Sequence, residues 1–306
     1  MSTDETETAL LRRGVLAALS AFTIWGFSPV FYHALGNASA FEILAHRVAW
    51  SLLLTFAVVS INNRTKALYR VFTDFRLLAW LLLSAFLVSL NWLVFIWAVN
   101  HAKALEASMG YFIFPIIMVA LGRLFLCEIL TRIQLFALFA VCLGVLNLLL
   151  AVGQLPWVAL TLAISMGLYS LVRKRTPIDA LLGLTVECFL LFPLAGIYLV
   201  YLYHSDQLIF ANLSLGLDLL LASSALMTAV PLILFTASTR ILKLGTVGML
   251  QYINPTCQFL IAVFVLDEPF TRDHLITFSL IWLGLVVYST ESHRQMKRAI
   301  GNKKAA

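Results

Sequence analysis

Slid along itself until Pro115 lies on Pro255, the chain meets its own pattern again: Glu128 falls on Glu268, Thr131-Arg132 on Thr271-Arg272 and Gly144 on Gly284. The same displacement sets Phe95 on Phe235, Lys103 on Lys243, Ile113 on Ile253 and Arg47 on Glu187. Spacing kept through most of each half is that of an internal duplication, so the fold is two copies of one unit. That unit is almost wholly apolar, with 61% hydrophobic against 12% charged residues, and its solvent is lipid. Hydrophobic windows fall at 14–35, 41–61, 77–99, 104–126, 132–151, 155–172, 180–203, 214–239, 245–266 and 273–291. Each is near the ~20 residues that cross a bilayer as a helix. Runs this long without period-two alternation exclude a barrel, because every backbone group in hydrocarbon must be satisfied within its own segment or a closed sheet. The expected fold is an all-α integral membrane protein with ten transmembrane helices, five per repeat.

Lys and Arg near span ends stay cytoplasmic. An inside N-terminus places Arg12, Arg13, Arg64, Lys66, Arg70, Arg76, Arg123, Arg132, Arg173, Lys174, Arg175, Arg240, Lys243 and the tail from Arg294 to Lys304 on that side, leaving Lys103 and Arg272 outside. Both termini are therefore expected in the cytoplasm. Five spans carry the chain across once, so the second unit enters from the opposite face and the halves form an inverted repeat, the architecture of many secondary transporters. The expected division is a polar lead over 1–10, repeats over 11–151 and 152–291, and a basic tail over 292–306. The net charge of +6 is accounted for by cytoplasmic loops and tail, and no nucleic-acid partner is read from it. The run Arg173-Lys174-Arg175 reads as a topology anchor, and Cys127, Cys142, Cys188 and Cys257, without paired spacing, read as packing residues.

The informative residues are polar groups inside apolar spans. Arg47 lies about two turns into the second span, where an unpaired charge costs roughly 2.5–3.5 kcal/mol at mid-depth. Its repeat-mate Glu187 lies equally deep in the seventh span but enters from the other face. Either each caps or snorkels beside a neighbouring helix end, or the two line a central cavity as a charged pair. Glu42 and His46 share one face of the second span, as an ion pair or a proton-sensitive gate, and Glu106 at the start of the fourth span is a lesser member of that cluster. Pro115 and Pro255 sit near the midplane of the fourth and ninth spans, where the missing donor kinks or opens a helix. Such interruptions at matching positions point to a transporter's binding site. Tyr111 and Phe112 flank one, and Gln251, Tyr252 and Asn254 the other; Trp25, Asn91 and Trp92 add polar and aromatic surface. Thr131 and Gln134 form a capping box, Thr271 stands ready to cap the tenth span, and Glu128 and Glu268 sit in the preceding turns in capping or gating roles. Gly144 and Gly284 permit close helix approach, within one molecule or between the two copies of a homodimer.

Four strings carry a resemblance: Glu42-Ile-Leu-Ala-His46-Arg47; Asn91-Trp92 through Ala98-Val-Asn100-His101; Leu105-Glu106-Ala-Ser through Gly110-Tyr111-Phe112; and Leu250-Gln251-Tyr252-Ile-Asn254-Pro255-Thr256. In order and spacing they resemble the RarD family, a branch of the drug/metabolite transporter superfamily with EamA-like repeats, over roughly residues 11–291. The resemblance implies ten transmembrane helices, a bacterial inner-membrane location and small-molecule transport. Phe114 departs from the Asn usual before the first proline, leaving Asn254 to supply that polar contact alone. Cys127-Glu128 and Asp267-Glu268 stand where Gly-Glu turns are usual.

The expected function is a secondary transporter, an exporter of a small organic molecule, in which Arg47 attracts an anionic group or pairs with Glu187. Glu187 or the Glu42–His46 pair then carries a coupling proton. The alternatives are a membrane enzyme and a passive channel or sensory membrane protein. An enzyme needs a nucleophile with its base, a metal cluster or a phosphate cradle; the six histidines are scattered, and neither HExxH nor a glycine-rich phosphate loop occurs. No cofactor or metal is expected, and the partners are the bilayer and a small-molecule substrate.

Overall fold

The computed structural model describes residues 3–35, 38–100, 104–152, 157–264 and 272–305, and among them it is all helix and connecting turns. The helices are α1 (Thr3–Ala34), α2 (Ala40–Ile61), α3 (Thr65–Thr73), α4 (Phe75–Asn100), α5 (Ala104–Phe125), α6 (Arg132–Val152), α7 (Trp157–Arg175), α8 (Ala180–His204), α9 (Leu215–Ile241), α10 (Leu244–Leu250), α11 (Ile253–Phe264) and α12 (Arg272–Ala305). Six contain stretches long and apolar enough to cross a membrane: Ala9–Tyr32, Ala40–Ile61, Phe75–Ala98, Ala180–His204, Leu215–Ile241 and Leu275–Gln295; Gly110–Phe125 and Arg132–Asn147 are shorter apolar segments.

Polar caps start the helices where apolar runs begin. Ser39, Asp179 and Ser214 accept from the amides of Glu42, Leu182 and Leu217. Thr131 and Gln134 form the expected reciprocal box, each side chain accepting from the other's amide at 3.2 and 3.0 Å. Lys103, Asp267, Glu268 and Thr271 lie outside the described residues. Two features differ from the sequence expectation. The connection after α2 contains α3, which buries Leu68 and Val71 and exposes Lys66, Tyr69 and Arg70. The span expected over 245–266 is two helices, separated at Gln251 and Tyr252.

The exterior is apolar: Phe86, Phe136, Phe139, Leu194 and Ile197 are all more than half exposed, which fits a lipid-facing surface. The interior packs Phe22, Met118, Tyr169, Phe235, Tyr252 and Ile281 at 0–2% exposure. Packing between helices comes in matched sets: α1 lies on α9 as α7 lies on α4, α2 on α9 as α8 on α4, and α1 on α11 as α7 on α5. The members of each set are displaced along the chain by the interval that separates Gly144 from Gly284. These two glycines mark an interface within the molecule, between α6 and α12. A Cβ on Gly144 would lie 3.0 Å from the Thr277 carbonyl oxygen, and one on Gly284 would lie 2.7 Å from that of Ala137.

Candidate functional site

The first turns of α2 carry Glu42, His46 and Arg47, all at most 5% exposed. Glu42 Oε1 accepts from the amides of Ile209 and Phe210 at 2.8 and 3.3 Å, tying α2 to the loop between α8 and α9. His46 Nε2 stands 3.9 Å from the same oxygen, and its ring packs 4.8 Å from that of Phe210. The two side chains singled out from the sequence thus lie near each other, and Glu42, through the two amides, holds the loop. Glu106 belongs to α5, and its side chain lies outside the described residues.

One residue further on, Arg47 points to another neighbourhood. Its Nε donates to Thr228 Oγ1 at 2.9 Å, and that hydroxyl donates in turn to the Ser224 carbonyl at 2.8 Å. The guanidinium carbon lies 4.7 Å from the centre of the Trp92 ring and 5.5 Å from that of Tyr32. Phe95 joins Tyr32 and Tyr111 edge-on, at 6.4 and 5.8 Å between centroids. Among the described residues no carboxylate pairs with Arg47. Five helices, α1, α2, α4, α5 and α9, thus converge on one buried cation faced by aromatic rings, an arrangement worth about 2 kcal/mol for a desolvated cation–π contact.

Glu187 is elsewhere, and its cation is Arg173. Arg173 Nε approaches Glu187 Oε1 to 3.5 Å with both side chains 1% exposed, while Ser84 Oγ donates to Oε1 and Tyr169 Oη to Oε2 at 3.3 Å. The charged pair of Arg47 with Glu187 entertained from the sequence is not formed: each charge is two turns into its helix, with partners of its own. Arg173 is likewise corrected from a topology anchor to a buried side chain. The short link between α7 and α8 sets the end of one helix beside the start of the other, and Gly183 leaves the slot: a Cβ there would lie 2.0 Å from Arg173 Nη1. Its neighbours close other helices. Lys174 Nζ donates to the carbonyls of Thr239 and Leu242 at the end of α9, and Arg175 to that of Phe125 at the end of α5, where cations are favoured.

Near the middle of the bundle the two prolines behave differently. Pro115 does not break α5, which runs through it. The helix is braced there: α10 crosses at Gly248, where a Cβ would lie 3.0 Å from the Pro115 carbonyl, and Tyr252 Oη donates to the Phe112 carbonyl at 3.0 Å. Pro255 sits in the first turn of α11, a position that suits proline because its missing N–H is unpaired there, so the interruption falls at 251–252 instead. Gln251 is 1% exposed and its Oε1 has no hydrogen-bond partner among the described residues; Asn254 Oδ1 accepts from Gln258 Nε2 at 3.0 Å. Trp25 joins Phe22 and Phe235 in an aromatic cluster, in which Phe114 also touches Phe235. Phe114 thus occupies an apolar setting. Asn91 is not a cavity group here, because its Nδ2 donates to the Leu162 carbonyl and Ser165 Oγ at 2.9 and 3.0 Å, joining α4 to α7.

The structure therefore brings Arg47, Trp92 and Tyr111 into one neighbourhood, gathers Gln251, Tyr252, Asn254, Pro255 and Pro115 where α5 meets α10 and α11, and keeps Glu187 apart. Sequence reasoning missed Tyr32, Thr228, Ser84, Tyr169 and Arg173. Only Arg173 left a signal: a cation near the end of one apolar helix, with a glycine one turn before a glutamate in the next. No group of three His, Cys, Asp or Glu suited to a metal occurs among the described residues.

Residues 12–150 match the model of the EamA-like transporter family. The chain is 42% identical to an uncharacterized transporter of Vibrio cholerae over 92% of its length and 93% of the relative's. It is 39% identical to the protein RarD of Escherichia coli, covering 94% and 97%, and 34% identical to the chloramphenicol-sensitive protein RarD of Pseudomonas aeruginosa, covering 94% and 96%. A solved crystal structure shares its fold, with TM-score 0.68 at 15% identity over 92% of this chain and 98% of that one.

Proposed function

The chain belongs to the RarD family of EamA-like transporters, and on that premise we propose that it is a secondary transporter, exporting a small organic metabolite or drug across the bacterial inner membrane by alternating access. Ten spans in two inverted units, over 11–151 and 152–291, are the moving halves, with both termini in the cytoplasm. The matched packing of α1 on α9 with α7 on α4, and of Gly144 and Gly284 across α6 and α12, supports that symmetry. The observation that carries the reading is the pair of repeat-related charges. Arg47 and Glu187 are each buried two turns into α2 and α8, and each is hydrogen-bonded to a hydroxyl on the helix of the other half that packs beside it, Thr228 on α9 and Ser84 on α4. Buried charges in lipid-spanning segments mark substrate or ion pathways. Arg47 is the substrate contact and Glu187 the carrier of a coupling proton.

The test is counterflow in proteoliposomes with an imposed pH gradient. Saturable exchange accelerated by substrate on the far side identifies a carrier, whereas flux without saturation or counterflow identifies a channel. Glu187→Gln is expected to abolish pH-driven transport while leaving membrane insertion intact; undiminished transport would remove Glu187 from the mechanism.

A further inference from the structure

Resting on that reading, we propose that the Arg47 seat takes the anionic group of a flat organic monoanion, of the aromatic carboxylate class, with the substrate's plane lying among Tyr32, Trp92 and Tyr111. The first ground is a difference between repeat-mates. Glu187 has its counter-charge in Arg173, 3.5 Å away, whereas Arg47 has no counter-charge among the described residues although it is only 4% exposed. A buried guanidinium is stabilised by a partner of opposite sign, and a transported anion supplies one in each cycle.

The second ground is the direction of the donors. A guanidinium has five N–H groups, and among the described residues Arg47 uses one, Nε–H to Thr228. Thr228 Oγ1 spends its own proton on the Ser224 carbonyl, so the lone pair that receives Nε–H is fixed. The fork is thereby held in one orientation, with its two amino groups left for the bidentate contact that a carboxylate makes. The third ground is shape. The rings of Trp92 and Tyr32 lie over the guanidinium, and the edge-on contacts of Phe95 carry the aromatic lining on to Tyr111. Flat apolar walls beside a single positive charge select a planar body with one negative charge, and a lone cation matches a dianion poorly.

The purified protein in detergent is heated with benzoate, its neutral isostere benzamide, the cation benzylamine, the ringless anion acetate, and inorganic phosphate as the stand-in for a lipid headgroup. Benzoate is expected to raise the unfolding temperature in a saturable way, with the other four giving smaller shifts or none. Arg47→Gln is expected to abolish the benzoate shift, and Trp92→Leu to weaken it while leaving any acetate effect unchanged. Thr228→Val keeps the charge and so tests the orientation of Arg47 apart from its removal; it should weaken benzoate roughly tenfold, the loss of about one aligned hydrogen bond. A benzoate shift that survives Arg47→Gln, an equal shift with benzamide, a larger one with phosphate, or none at millimolar benzoate overturns the proposal. Counterflow separates the two readings. Exchange of a neutral compound by both wild type and Arg47→Gln leaves the carrier and removes the anion seat, whereas Arg47-dependent benzoate binding without counterflow of any probe leaves the seat and removes the carrier.

Discussion

Arg173 enters the bundle beside Glu187 with Nε and Nη1 making no hydrogen bond among the described residues, where the ion pair is held by one 3.5 Å approach and by two carbonyl contacts from Nη2 at 3.4 Å. Removing one partner of a buried pair costs about 3–5 kcal/mol, whereas replacing both by apolar groups is often neutral. Arg173→Met should therefore lower the unfolding temperature of the purified protein sharply, and Arg173→Met with Glu187→Leu should recover most of the loss without restoring pH-driven transport. A double variant no more stable than the single one would show that the two charges are not coupled. Outside the spans, Asp179 meets Arg64 and caps α8. Burial works to raise its carboxyl, but the Arg64 guanidinium and the amides of Leu182 and Leu181 outweigh burial and hold it below the ordinary value. A carboxylate depressed on folding stabilises above its unfolded pKa of about 4, and that stability is lost as pH falls through the lower folded value. Wild type should thus lose more stability than Asp179→Asn on acidification below about pH 4. The difference is expected to be under about 1 kcal/mol, because both side chains are more than a third exposed, at 39% and 38%.

Elements meet closely where side chains are smallest. Gly144→Leu and Gly284→Leu each drive a side chain into the backbone of the opposite helix, and each should destabilise by about 1–3 kcal/mol in a thermal or denaturant titration. Near-wild-type stability in either would mean that α6 and α12 can part freely. Tyr252→Phe removes the bond to the Phe112 carbonyl and should cost about 1 kcal/mol while leaving α5 continuous. At this scale much was legible in advance. The Thr131–Gln134 box and the glycine pair follow local rules of spacing, and both are realised. The consequences of the prolines were not legible, because whether a missing donor opens a helix depends on what lies across from it. Pro115 is braced by α10 and Tyr252, whereas Pro255 falls at a helix start. The partner of Glu187 was only faintly legible: the glycine one turn before Glu187 hints that a cation near the end of α7 turns inward, but which of Arg173, Lys174 and Arg175 does so is settled by the slot over Gly183.

For the whole molecule, the long apolar runs carried the all-helical membrane class, and the motif strings around Arg47, Asn91, Tyr111 and Asn254 carried the family. They did not carry α3; in the proposed repeat the matching stretch of the second half is the loop that Glu42 holds through Ile209 and Phe210. Glu42→Ala should therefore loosen one half only, seen as faster proteolysis around 205–214 with the connection at 62–76 unchanged. Reporter fusions at both ends should register the cytoplasm; a periplasmic signal from either would overturn the proposed topology. The reciprocal contact of Gly144 with Thr277 and Gly284 with Ala137 also bears on descent. Each of its halves becomes the other when repeat-mates are exchanged, as in an isologous contact between identical subunits. In a half-length ancestor pairing with an upside-down copy of itself, one glycine codon would have served both sides, and any change there would have been suffered twice. Under the proposed inverted repeat, fusion into one gene would have released that constraint and left each side free to change alone; today threonine faces one glycine and alanine the other.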